Sequence, residues 1–203
     1  MTAWRTFAAA LFACTPLWAL GCGNAVGPRQ TLLTFSFEQG MEGWSAAAAD
    51  TGPPHAPWSI ERSGDLAYAG QEAVKFYVAN YTDAAKIWMV RPFSGLPGRS
   101  YDIEVSYAFA TADYGSINHF VLLTGIFETP PTDGPSLTAG TVQEDTGNGA
   151  HSNVGYRWLR KNVRASVQAP ANGVLFVVVG IWGTWEGGKT YYLDDVAVQL
   201  TPK

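Results

Sequence analysis

Aromatic rings are the side chains in this sequence best suited to recognition chemistry, with 8 Trp and 9 Tyr among 203 residues. A flat ring can stack against the face of a sugar while polar neighbours take its hydroxyls. Trp88 and Tyr77 alternate with Met89 and Val78, which puts them on the opposite side of their strands from the apolar set. Trp182 and Trp185 flank Gly183-Thr184 and precede Glu186-Gly187-Gly188, a turn from which two indoles could project. Trp58 and Tyr114 complete the ligand-binding candidates; His119 and Trp158 are less well placed. The competing reading for each ring is core or cross-strand packing.

Catalytic groups are sparse. His55, His119 and His151 have no His or Cys neighbour at metal-binding spacing, and there is no H-E-x-x-H, G-x-S-x-G or phosphate loop. The acid pairs Glu144-Asp145 and Asp194-Asp195 could flank a glycosidic bond only from opposed positions, which adjacency does not provide. No residue is nominated as a nucleophile, so the expectation is a non-catalytic protein. With 13 basic against 17 acidic residues, a net charge of -4 and no Lys/Arg block, nucleic acid is not an expected partner.

The elements that must position these rings are strands. Tyr101, Ile103, Val105, Tyr107 and Phe109 alternate with Asp102, Glu104 and Ser106, the pattern of a half-solvated antiparallel strand. Shorter alternations cover Val74 to Val78 and Ile87 to Arg91. Leu32 to Glu38, Trp58 to Arg62, His119 to Phe127, Arg157 to Gln168, Val174 to Trp182 and Thr190 to Leu200 add further strands. Val174 to Val179 is apolar on both faces and reads as a central strand covered on both sides. Between Glu128 and Asn153 the chain turns polar and Gly/Pro-rich, a long loop with room for one short strand. About nine strands without a helix imply an all-β, two-sheet antiparallel β-sandwich.

The first 21 residues read as a signal segment. Arg5 precedes an uncharged apolar run from Phe7 to Leu20, shorter than the roughly 20 residues of a comfortable span. Ala19-Leu20-Gly21-Cys22 resembles the bacterial lipobox, although the lipobox usually carries Leu where this chain has Ala19. The resemblance implies lipidation of Cys22 and a lipid anchor in the membrane. Plain cleavage and an uncleaved anchor helix are the alternatives. Cys14 would leave with the signal, so Cys22 has no disulfide partner in the body. The expected organisation is a lipoprotein-type signal peptide over 1–21, the acylated Cys and a flexible linker over 22–31, and one domain over 32–203. The expected location is the bacterial cell envelope, at the outer membrane or cell surface, otherwise periplasmic or secreted.

Two segments narrow the sandwich. Phe35-Ser36-Phe37-Glu38-Gln39-Gly40-Met41-Glu42-Gly43-Trp44 and Tyr191-Tyr192-Leu193-Asp194-Asp195-Val196-Ala197-Val198 resemble the two ends of jelly-roll carbohydrate-binding modules of families four, nine and twenty-two, within the galactose-binding-like sandwiches. Gly70 to Lys75 and Leu96 to Tyr101 are similar to middle pieces of that group, in the expected order. The resemblance implies a core role for Trp44, glycan or polysaccharide as partner, and a structural calcium held by Glu38, Asp194 and Asp195. If the face shared by Tyr192, Val196, Val198 and Leu200 is the core, Asp194 points inward and Asp195 outward, unless a bulge shifts the register. The plainer reading leaves both aspartates solvated beside Lys75 or Lys189. A structural or protein-interaction lipoprotein without a sugar site is the alternative function.

Overall fold

The computed structural model describes residues 29–95, 97–112, 119–145 and 156–203; residues 1–28, with Cys22 among them, and Tyr114 lie outside the described residues. In chain order the elements are β1 (Thr31–Phe35), β2 (Ser45–Ala49), β3 (Trp58–Ser63), β4 (Ala73–Asn80), β5 (Lys86–Ser94), β6 (Ser100–Thr111) and β7 (Phe120–Phe127). Then follow α1 (Gly134–Ala139), β8 (Thr141–Asp145), β9 (Arg157–Gln168), β10 (Val174–Gly183) and β11 (Gly187–Pro202). They form two antiparallel sheets. One has six strands, in the order β3-β4-β11-β6-β9 with β1 also paired to β11; the other has five, in the order β2-β5-β10-β7-β8. The expected two-sheet antiparallel sandwich is the observed architecture.

Alternation places the core. From β6, Tyr101, Ile103, Val105, Tyr107 and Phe109 all point between the sheets, where they meet Ile87, Met89, Leu122, Val177, Val179 and Ile181 of the five-stranded sheet. Trp44 packs edge-on against Phe35 and Phe93 in the same core, as the resemblance implied. One buried polar contact ties the layers together: the hydroxyls of Tyr107 and Thr124 lie 2.7 Å apart. Burial pushes the Tyr107 hydroxyl far above its ordinary pKa, so it stays protonated.

Two elements were not legible in the sequence. Ser45–Ala49 is four alanines after a serine, a composition that favours helix, yet it pairs with β5 as an edge strand. The long polar loop holds α1 as well as the short strand β8. Asp133 caps α1, accepting from the Ser136 amide at 2.7 Å while its own amide donates to Ser136 Oγ.

This helix corrects the expectation for Trp88. Alternation does turn the ring to the outer face of the five-stranded sheet, but Leu137 of α1 covers that face. Trp88, Leu123, Leu137 and Val178 form a second apolar cluster there, leaving Trp88 1% exposed. Val178 is thereby covered as well, which is why Val174 to Val179 is apolar on both sides.

The second departure is a bulge in β11. Asp194 opposes Ala108 and Ala197 opposes Ser106, so three steps along β11 match two along β6. Asp195, with φ of 49°, is the extra residue. Inward residues are therefore Tyr191 and Leu193 before the bulge, and Val196, Val198 and Leu200 after it. Asp194 shares the outward side of Tyr192, not the core side of Val196; an unbroken period of two had placed it inward.

Candidate functional site

The six-stranded sheet's outer face gathers the aromatics. Paired residues of antiparallel strands share a face, and one row across this sheet reads Lys75, Tyr192, Ala110, Trp158. Tyr192 and Trp158 stand two strands apart, about 10 Å, with only a methyl group between them. Tyr77 lies diagonal to Tyr192 on the same face, opposite Thr190. Two further rings join from flanking loops. Tyr68 meets Trp158 edge-on at 5.6 Å and is 45% exposed; Tyr156 meets Tyr192 edge-on at 5.1 Å and is 42% exposed. Trp158 and Tyr77 are half-buried, while Tyr192 lies beneath.

Polar groups frame the rings. Lys75 Nζ donates to Asp65 Oδ2 at 2.6 Å, and this contact holds the Asp65 carboxyl below its ordinary pKa. Arg160 donates to Asp195 Oδ2 at 2.5 Å and places its guanidinium 5.5 Å over the Tyr68 ring. Both pairs are largely solvated, so they orient side chains more than they stabilise the fold.

The loop carrying Tyr68 is held by two carboxylates. Asp194 Oδ2 accepts from the amides of Tyr68 at 2.9 Å and Ala69 at 3.0 Å, and Oδ1 accepts from Asp195 N at 2.6 Å. Glu38 Oε1 accepts from the amides of Gln71 at 2.9 Å and Glu72 at 3.1 Å. Gly70 sits between these anchors at φ of 68°, and a Cβ there would lie 2.2 Å from Glu38 Oε1. Only glycine fits. The two acids respond differently: the Gln71 and Glu72 amides lower the Glu38 pKa, whereas desolvation raises that of Asp194 despite its three donors.

This geometry bears on the three expected calcium ligands. Glu38 and Asp194 converge on one loop, and among the described residues Glu38 Oε2 has no hydrogen bond and Asp194 no cationic partner. Both Asp194 oxygens already accept from amides, Glu38 Oε2 is the one carboxylate oxygen of the two without a donor, and no group of three His, Cys, Asp or Glu side chains able to hold a metal gathers among the described residues. Asp195 does not fit, because it turns outward to Arg160. Neither lysine of the plainer reading pairs with these aspartates: Lys75 serves Asp65, and Lys189 lies 3.3 Å from His119 Nδ1.

The six sequence-nominated rings are not one platform. Tyr77 belongs to the aromatic face. Trp182 faces out from the other sheet, where its Nε1 donates to the Asp83 carbonyl at 2.9 Å and Lys86 lies 4.6 Å over the ring. Trp185 stands at the β10–β11 turn, 52% exposed, its ring 5.3 Å from that of His119. Trp58 is exposed where β3 begins, on the sheet edge opposite Val78. Trp88 is buried, and Tyr114 is outside the described residues. Tyr68, Tyr156 and Tyr192 were missed. The available signal was the alternation of Trp158, Arg160, Asn162 and Arg164 along β9, which marks Trp158 as outward.

Comparison with known proteins places the fold. No protein-family profile matches the chain, and no curated protein matches it. Among solved structures, the K1 cleaved adhesin domain of Lys-gingipain from Porphyromonas gingivalis W83 is 17% identical with a TM-score of 0.53, over 85% of this chain and 99% of that one. The K3 cleaved adhesin domain of the same protein is 16% identical with a TM-score of 0.53, over 84% and 99%. The CBM22-1 xylan-binding domain from Paenibacillus barcinonensis Xyn10C is 14% identical with a TM-score of 0.46, over 83% and 92%. The adhesin-domain likeness is one of fold.

Removing the Asp194 carboxylate leaves the Tyr68 and Ala69 amides without an acceptor. Asp194→Ala should therefore cost about 2–4 kcal/mol, against about 0–1 kcal/mol for Asp195→Ala. Urea denaturation measures both; equal, small effects would show that the carboxylate does not organise the loop.

Proposed function

We propose that this domain binds glycan without catalysis, on the outer face of its six-stranded sheet around Trp158, Tyr68, Tyr156, Tyr192 and Tyr77. The observation that carries the reading is the collection of five rings on one sheet face, beside hydrogen-bonding pairs, while on the other sheet's outer face α1 covers Trp88. Rings with polar groups alongside suit sugars, whose two faces are apolar and whose edges carry hydroxyls. The adhesin description of the domains that share the fold agrees with a role in attachment. The exposed rim rings Trp185 and Trp58 are spread over separate edges and carry less of the reading.

Affinity electrophoresis of the intact protein against plant, bacterial and algal polysaccharides tests it. Trp158→Ala and Tyr68→Ala should each weaken binding by about 10- to 100-fold. Trp88→Ala should instead lower stability by about 3–5 kcal/mol and leave the affinity of the folded protein unchanged. Retardation by no polysaccharide, with protein partners captured instead, would favour the scaffold alternative.

Two expectations complete the proposal. A calcium ion held by Glu38, Asp194 and backbone carbonyls would supply positive charge beside the desolvated Asp194 carboxylate; its support is the absence of any cationic partner among the described residues. Saturating calcium should raise the melting temperature and chelator lower it, since an ion at 100 times its Kd adds about 2.7 kcal/mol. Indifference to both removes the ion. The lipobox-like ending at Cys22, followed by a body without another cysteine, supports an acyl tether that keeps the domain at the envelope. Cys22→Ala should release it from membranes, and continued membrane partitioning of that variant counts against the tether.

A further inference from the structure

On the acyl-tether reading above, we infer that the end of the sandwich where β1 begins is a membrane-docking surface that lies against anionic lipid headgroups. Backbone hydrogen bonds gather four segments at this end. Thr31 of β1 pairs with Leu200, Lys203 N donates to the Ser100 carbonyl at 3.0 Å, Ala169 N to the Arg99 carbonyl at 2.8 Å, and Gly95 N to the Gly173 carbonyl at 2.6 Å. The start of β1, the β5–β6 turn, the β9–β10 turn and the residues that close β11 therefore form one rim. Length decides which way the rim faces. Arg29 is seven residues from Cys22, and seven residues reach at most about 25 Å. The sandwich rises roughly 40 Å from this rim, the length of twelve-residue β6, so an acylated Cys22 keeps this end, and not the opposite one, within reach of the lipid.

The rim's chemistry matches a headgroup layer. Leu32 is 57% exposed and Leu33 37%, on opposite sides of β1. Beside Leu33 opens a hollow of about 330 Å³, walled by Phe93, Tyr101 and Leu200. Arg29 lines the same hollow, and Arg99 stands in the neighbouring turn. Among the described residues neither arginine has an acidic partner, and Arg99 Nε is buried without an acceptor. Lys203 pairs with Asp102 at 2.7 Å, so the two arginines carry the rim's unbalanced charge. Residues 94–100, 169–173 and 201–203 include no Asp or Glu, whereas the turns at the opposite end carry exposed Asp83 and Glu186. An anionic surface therefore favours this end over the other. Contacts this few do not hold a protein on a membrane unaided. A seven-residue link makes the encounter intramolecular and raises the local concentration of lipid to where weak contacts suffice. Docking also orients the domain. The row holding Ala110 and Trp158 lies eight residues up β6 from Asp102, roughly 26 Å, so the aromatic face stands clear of the lipid.

Energy transfer from a fluorophore to rhodamine-labelled lipid tests the docking, with the acylated protein in vesicles of phosphatidylglycerol and phosphatidylcholine. The dye is carried on Ala171→Cys at the rim or Glu186→Cys at the far end; the body has no native cysteine after Cys22. A tether alone leaves the rim nearer the lipid on average, so the decisive readouts are the variants and the lipid charge. Transfer from position 171 should fall at least about twofold when Leu32→Ser is combined with Leu33→Ser, when Arg29→Gln is combined with Arg99→Gln, and in vesicles of phosphatidylcholine alone, while the protein stays in the membrane fraction. Transfer from position 186 should be low in the parent protein. Transfer from position 171 that ignores both the arginine pair and the lipid charge overturns the docking, whatever the leucine pair does to folding, and leaves the tether standing. A protein that carries no acyl group, or whose Cys22→Ala variant stays with the membrane, fails the tether reading and the docking with it.

Discussion

A carboxylate that must be buried and must still find donors organises the outer face of this sandwich's six-stranded sheet. Asp194 sits on the outer side of a central strand, where solvent would ordinarily satisfy it. Instead the Tyr68–Ala69 backbone closes over it and donates two amides, with a third from Asp195. Desolvation alone would be costly; three charge-assisted hydrogen bonds offset much of it. The bond geometry then dictates the rest. Tyr68 is delivered to Trp158, Gly70 must adopt a left-handed conformation beside Glu38, and Asp195 becomes the unpaired residue that turns outward to Arg160.

The same bulge reconciles two demands on β11. Before it, Tyr191 and Leu193 must point inward to meet β4 and β6; after it, Val196, Val198 and Leu200 must do so to meet β1 and β6. An unbroken alternation cannot satisfy both sets, because they differ in parity. One extra residue changes the parity. It also gives the outer face two characters, aromatic above the bulge and hydrogen-bonding below it, on a single continuous sheet.

Much of the fold was legible because both faces of most strands are decided by burial. Arg157–Gln168 was read with both ends correct, and Tyr101 to Phe109 lies within β6, since alternation there is unbroken and one face is core. The site was less legible, for a reason visible in Trp88. Alternation tells which side of a strand a ring leaves from, but not what covers that side, and Trp88 is covered by a helix 49 residues further along the chain. Tyr192 was hidden by the opposite error: a bulge reverses parity with no mark in composition, and only positive φ at an aspartate betrays it. Tyr68 is placed by hydrogen bonds to a residue 126 positions away, which no local pattern encodes.

Strand β9 shows how one strand can serve both the fold's integrity and its surface. Among the described residues it is an edge strand, paired only with β6, and an open edge of twelve residues invites another strand. Arg157, Arg160, Lys161 and Arg164 make that pairing unfavourable. Lys161 turns inward to Glu144 of β8 and closes the open side of the sandwich, while Arg160 and Arg164 turn outward to Asp195 and Glu104. Neutralised this way, the charges deter edge pairing without making the face strongly basic. A ligand that contacts the face through side chains is unaffected by a blocked edge, whereas one that adds as a strand is repelled. The placement of charge on β9 therefore disfavours strand addition at this edge while leaving the outer face of the sheet close to neutral.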